Sequence, residues 1–196
     1  MSFIFREPTL TADRPQSSRV NRPVMGKVPL QPNRQVFTLT SPAFIDGEDL
    51  PRIYNRLGSA LSPPLRWSGV PTGAVSLVLL LEAPMAPGEV WLHWALYDIP
   101  ANLSGLPAGI EASPYLANGA RHGLSWGRHS FEGIGYQAPD PTQGRPEGYR
   151  FTLSALDGLL YLPAGASGRD LRAAMKHRLL AETTLQTLPP VLCGCP

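Results

Sequence analysis

Histidine and glutamate, two residue types that do proton chemistry near neutral pH, gather around one short stretch of this chain. His93 lies inside the apolar segment Val90 to Tyr97. That segment follows a second apolar run, Val75 to Leu81, across the turn-forming sequence Pro84-Met85-Ala86-Pro87-Gly88. In a regular strand side chains alternate faces, so Trp91, His93, Ala95 and Tyr97 are expected on one face and Leu92, Trp94 and Leu96 on the other. An imidazole set between aromatics can be a general base, a donor or an acceptor, according to how burial and nearby charge place its proton. Glu82 precedes the turn, and Glu147 lies just before a later strand that begins at Tyr149. In an enzyme, His93, Glu82 and Glu147 would be the candidate acid and base groups. The competing readings are a structural histidine held by hydrogen bonds, and glutamates that are solvated or paired with the chain's many arginines.

Other chemistries lack their residues. His122 and His129 are seven positions apart in a glycine-rich loop, with no histidine or cysteine cluster to complete a site, so neither a metal nor a cofactor is expected. No Gly-x-Ser-x-Gly elbow, phosphate-cradling glycine loop or dinucleotide fingerprint occurs. Cys193 and Cys195 are two apart, and a disulfide between them would close a small strained ring that staples nothing. A reduced tail is the expectation there, with chelation, redox chemistry or an intermolecular disulfide as alternatives. A formal net charge of +2 offers no basic surface for nucleic acid. The sequence holds neither a long apolar span nor a charged start followed by an apolar core, so the expectation is a soluble, cytoplasmic chain without stable membrane insertion.

The elements that must position these groups are short. With 22 prolines and 19 glycines in 196 residues, the chain is punctuated too often for long helices and reads as a β-rich domain with long loops. Residues 1–34 have no apolar periodicity and read as a solvated arm, whose tip Phe3-Ile4-Phe5 could pack on a neighbouring subunit. Residues 35–188 read as one folded domain, and 189–196 as a tail. Gln35 to Thr40 alternates like a strand. Val75 to Leu81, apolar throughout, reads as a strand covered on both faces, forming a central sheet with Val90 to Tyr97 and Tyr149 to Leu156. From Ser167 to about Glu182 the pattern predicts a helix, with Ser167 as N-cap, Asp170 three residues on, and Leu171, Ala174, Met175 and Leu179 on one stripe. Thr183 to Leu188 has strand propensity and would finish the fold.

Several of these segments carry a resemblance. Ala83-Pro84-Met85-Ala86-Pro87 followed by Trp91-Leu92-His93-Trp94 is similar to the Asp-Pro-Asp-Ala-Pro turn and Trp-x-His-Trp strand of bacterial phosphatidylethanolamine-binding proteins, the Raf-kinase-inhibitor-like branch. Ser41-Pro42-Ala43-Phe44 and Ser62-Pro63-Pro64-Leu65-Arg66-Trp67 resemble that family's opening strand and its Ser-Pro-Pro-Leu-x-Trp loop. Gly135-Tyr136-Gln137-Ala138-Pro139-Asp140-Pro141 and Tyr149-Arg150-Phe151 resemble its Gly-Tyr-x-Gly-Pro-x-Pro segment and Tyr-x-Phe strand. The pieces occur in order over roughly residues 35 to 188. The resemblance implies a mainly β fold: a large, mostly antiparallel sheet with a smaller packed sheet and a C-terminal helix.

It also implies a small cavity for anionic groups, and here the chain departs from its relatives. The family's histidine and tyrosine fall on His93 and Tyr149, and its prolines on Pro84 and Pro139. Its two acids fall on Ala83 and Met85, its second histidine on Glu147, and the aspartate of its Asn-Asp-Phe-Gly segment on Ser130, beside Phe131. The expected ligand-binding set is therefore His93, Tyr149, Ala83, Pro84, Met85, Trp91, Ser130, Phe131, Pro139 and Glu147. Losing a carboxylate neighbour favours a neutral imidazole, and Glu147 adds a charge that repels phosphate. The leading expectation is a non-enzymatic binding protein for a small uncharged or apolar ligand. An isomerase- or cyclase-type enzyme that moves a proton on an uncharged metabolite is the second reading, and a regulator of a protease or kinase partner the third. The resemblance further implies a homodimer.

Overall fold

The computed structural model describes residues 36–85, 88–126, 132–140, 142 and 146–189. The expectations for the arm, for Ser130 and Phe131, for His129 and for the two cysteines lie outside these residues. Eleven strands and one α-helix follow in chain order: β1 Thr38–Thr40, β2 Glu48–Asp49, β3 Leu65–Ser68, β4 Ser76–Pro84, β5 Val90–Pro100, β6 Gly105–Leu106, β7 Arg121–His122, β8 Leu124–Trp126, β9 Glu132–Ile134, β10 Tyr149–Leu156, α1 Gly168–Met175 and β11 Leu179–Leu188. β1, β3 and β6 make a three-stranded sheet. The other eight make a large sheet ordered β2-β11-β10-β4-β5-β8-β9, with β7 also paired to β5. Every pairing is antiparallel except the parallel contact of β2 with β11.

Two apolar layers hold this arrangement, one on each face of the large sheet. Leu79, Leu81, Trp94, Phe151 and Leu153 face the small sheet, where they pack with Leu39, Leu65 and Trp67. Val78, Leu80, Leu92, Ala95 and Tyr97 face α1 and pack with Leu160, Leu171 and Met175. Strands buried on both sides read as unbroken apolar runs, which is why β4 and β5 stand out in the sequence. Among the described residues, no helix is long and apolar enough to cross a membrane.

The expected helix begins where the sequence places it and ends sooner. Ser167 caps it, its hydroxyl accepting from the Asp170 amide at 3.2 Å, and Leu171 and Met175 are buried. Beyond Met175 the chain turns and becomes β11, so the expected helical run to Glu182 is corrected to a ten-residue strand on β10. Alternation dominates there: Leu185 and Thr187 are buried while Thr184 and Gln186 are exposed, and the β-branched threonines suit a pleated surface.

The expected split of β5 faces is also corrected. In its register with β4, Leu81 pairs with Trp94 and Glu82 with Leu92, which leaves His93 as an extra residue in a β-bulge. The bulge resets alternation, so Trp91 and Trp94 share the first core while Leu92 and Ala95 share the second. A second irregularity lies between the pairs Leu77–Ile99 and Leu79–Leu96, at Tyr97-Asp98, where Asp98 takes φ +53°.

Asp98 is buried, accepts from the Leu160 amide at 2.8 Å and stands 3.8 Å from Arg121 Nη1, which itself donates to Leu162 O at 2.6 Å. The bulge thereby fixes the loop that leads into α1. Asp98→Ala removes the charged acceptor and places a side chain without local hydrogen bonding in the left-handed region, and is expected to cost about 2–4 kcal/mol in urea denaturation. Asp98→Asn keeps the acceptor and tolerates that backbone, so a cost near 1 kcal/mol or less is expected.

Candidate functional site

The bulge gives His93 two main-chain contacts with one residue of a neighbouring loop. Gln137 N donates to His93 O at 2.7 Å, and His93 Nδ1 lies 2.9 Å from Gln137 O. A carbonyl only accepts, so Nδ1 carries a proton and the neutral ring keeps its lone pair on Nε2. Ser125 Oγ braces the same spot, within 3.2 Å of His93 O and 3.0 Å of Gly135 O. The loop is held at two further points. Tyr136 donates its hydroxyl to Tyr54 O at 2.6 Å, with its ring edge-on to Trp94, and Pro139 O accepts from Arg56 N at 2.9 Å.

The structure places His93 beside Tyr149. Their ring centroids are 5.3 Å apart and the planes nearly perpendicular, at 85°. Both side chains are buried, His93 at 4% exposure and Tyr149 at 2%. Burial is the main cause that lowers the His93 pKa to about 4; the Gln137 carbonyl pulls the other way, and the Arg56 guanidinium lowers it further. Burial likewise raises Tyr149 to about 12, with the Asp140 carboxylate adding to the effect. Both rings are therefore neutral at physiological pH.

Of the other expected ligand-binding residues, Ala83, Pro84, Met85, Trp91, Pro139 and Glu147 are among those described. Ala83 is fully buried, Trp91 is nearly so and donates its Nε1 proton to Glu89 Oε1 at 3.0 Å, and Pro139 is buried. Met85 is half-buried, packs on the first core, and donates its amide to Glu89 O at 2.9 Å. Pro84, Tyr149 and the exposed Glu147 line a cavity of about 270 Å³ together with Gly47, Gly148 and Thr187. Gly148 is required by close approach, because a Cβ there would come within 2.7 Å of Thr187 O.

Glu82 does not join them. It alternates with Leu80 and Val78 on the helix-covered face, where it makes an ion pair with Arg172 of α1. Its expected role as an acid–base partner of His93 is corrected to a structural one. His122 is also structural: it is fully buried in β7, its Nδ1 is 2.6 Å from Ser113 O, and its ring lies against Trp94. Among the described residues, no group of three histidine, cysteine or acidic side chains is placed to hold a metal ion.

Four contributors escaped the sequence. Gln137 acts through its main chain, which no residue type advertises. Arg56 sits in a stretch without periodicity, Thr187 reaches the cavity through the pairing of β11 with β10, and Gly47 borders it just before β2, which pairs with β11. Tyr136-Gln137-Ala138-Pro139 did stand out as a motif, and that was the available signal.

Comparison with known proteins agrees with this architecture. The model of the phosphatidylethanolamine-binding protein family matches residues 40–188. A UPF0098 protein from Methanothermobacter thermautotrophicus is 37% identical over 147 residues, covering 75% of this chain and 94% of the relative. The structure of a phosphatidylethanolamine-binding protein homologue from Chlamydia trachomatis superimposes with a TM-score of 0.65 at 30% identity, over 78% of this chain and 96% of the other. That of Escherichia coli YbcL, described as a member of the mammalian family, gives a TM-score of 0.67 at 25% identity, over 79% of this chain and 98% of the other. The extent of the family match, together with a relative more than one third identical over most of its own length, places this chain in the phosphatidylethanolamine-binding protein family.

Proposed function

We propose that this chain binds a small, non-anionic molecule beside His93 and Tyr149. The carrying observation is the pairing of His93 and Tyr149, two buried neutral rings whose centroids are 5.3 Å apart, with Tyr149 lining a cavity of about 270 Å³. Phosphate would find no positive partner in this pair, since protonating the imidazole would mean charging a buried group. Ala83 and Met85 support the same reading, since neither supplies a carboxylate to hold an imidazolium. The enzymatic alternative has lost Glu82 to Arg172, which removes one of its three candidate groups.

Protein purified gently and analysed by native mass spectrometry with small-molecule extraction is expected to release an uncharged or cationic compound, at reduced yield from His93→Gln and Tyr149→Phe. Saturable binding of inorganic phosphate by the wild-type protein at neutral pH would overturn the reading.

Stability against pH tests the state of His93 separately. Its folded pKa of about 4 lies below the unfolded value of 6.5, so the unfolded chain takes up the proton first as pH falls. The contribution is complete above about pH 6.5 and is lost between there and about pH 4. The wild type is expected to lose about 3 kcal/mol more than His93→Gln over that window in parallel urea titrations. The other histidines cancel in the comparison, and equal slopes would show a charged or solvated His93.

A further inference from the structure

A second cavity, of about 580 Å³, opens on the helix side of the large sheet, between the first turn of α1 and strands β5 and β8. Val90, Leu92, Leu124 and Trp126 form its apolar walls. Leu92 belongs to the second core and Tyr149 to the first, so this cavity lies across the sheet from Tyr149. Two of the wall residues are poorly buried for their type, Val90 at 41% exposure and Trp126 at 47%. Apolar surface left to water inside a concavity is surface that a ligand would cover with a gain in free energy. The volume falls within the range of about 300–1,000 Å³ usual for small-molecule sites. Gly168 lets the first turn of α1 rest directly on the strand below, because a Cβ there would come within 2.8 Å of Leu92 Cδ2.

The charged groups at its edge differ in how they are engaged. Arg172 is ion-paired with Glu82 and donates to Gly168 O at 3.2 Å. Glu89 accepts from the Trp91 indole at 3.0 Å, and Asp170, next in sequence to Arg169, accepts from Ser167 Oγ at 2.7 Å. Arg169 also lines the cavity and is exposed, and among the described residues it makes no hydrogen bond or ion pair. A hollow with apolar walls and one unengaged guanidinium at its edge matches a molecule that is apolar over most of its length and ends in a carboxylate. The planar fork of arginine binds that group through two parallel, charge-assisted hydrogen bonds.

We propose that this cavity is a second ligand site, for an aryl- or alkyl-substituted monocarboxylate whose apolar body lies against Trp126 and Val90 and whose carboxylate pairs with Arg169. It does not rest on the function proposed above. Burial of the apolar body supplies most of the affinity, and the exposed ion pair sets the preference for an acid over a neutral molecule of the same shape.

Phenylbutyrate, phenylbutanol and phenylbutylammonium share one apolar body and differ in the charge of the end group. Titrating each against the isotope-labelled full chain by NMR, at neutral pH and low salt, separates burial from charge. Phenylbutyrate is expected to move the Trp126 indole N–H resonance, identified by its absence from the spectrum of Trp126→Phe. It is expected to bind about two- to fivefold tighter than phenylbutanol, the range of a solvent-exposed ion pair, and phenylbutylammonium more weakly than both. Arg169→Gln is expected to bring phenylbutyrate down to the affinity of phenylbutanol, and added salt to narrow the same gap. Val90→Asp, which puts a charge on the apolar wall, is expected to weaken phenylbutyrate at least about fivefold. Val90 and Arg169 are both exposed, so neither variant depends on repacking the core. A Trp126 resonance unmoved by millimolar phenylbutyrate, equal affinities for phenylbutyrate and phenylbutylammonium, or an undiminished preference in Arg169→Gln would overturn the proposal.

Discussion

Everything near the candidate site depends on the two-point clamp between the main chain of the β5 bulge and Gln137. One arm, Gln137 N to His93 O, is a backbone bond that joins the strand to the loop; the other, His93 Nδ1 to Gln137 O, makes the side chain part of the same link. The bulge makes this possible. A regular strand would spend the His93 main chain on pairing with β4, and the extra residue frees it for the loop. Once the loop is docked, Tyr136 reaches Tyr54 and Pro139 reaches Arg56, so a single register irregularity ties three separate segments to one imidazole. The clamp also sets the tautomer, since a carbonyl can only accept from Nδ1.

The two faces of the large sheet divide the labour. On the helix side, Glu82 and Arg172 pair across β4 and α1, and Asp98 holds the loop that delivers the helix. These charged residues are structural, and they leave the opposite face free of the need to anchor α1. On that face the buried groups are nearly all apolar or neutral, which is where a small molecule can be enclosed without desolvating a fixed charge.

Much of the fold was legible in the sequence because it rests on local patterns. β4, β5 and β10 announce themselves as apolar runs, and Ser167 with Asp170 marks the start of α1. The helix end was not legible, because Leu179 continues the helical stripe while the residues after it prefer a strand, and pairing with β10 settles the competition. The bulge was hidden for a related reason: nothing in Trp91-Leu92-His93-Trp94 shows that its register with β4 slips by one residue. His93 and Tyr149 could be picked out by type and motif. Arg56, Thr187 and Gly47 could not, since their place in the site comes from contacts between distant segments. Glu82 misled because a carboxylate next to a turn looks the same whether it faces a cavity or an arginine on a helix.

The uncharged residues Ala83 and Met85, at positions where the resemblance implies acids, agree physically with the neutrality of His93. Ala83 is fully buried, so a carboxylate there would need a cation beside it. With alanine in place, burial governs the ring, and Arg56 reinforces the neutral form from outside. Charge is thus moved from the floor of the site to its edges. Arg56 acts on the His93 side, whereas Asp140 acts on Tyr149, which shares its cavity with Glu147. On the reading proposed above, a neutral centre between a positive and a negative edge disfavours a compact anion, whose charge would meet no imidazolium.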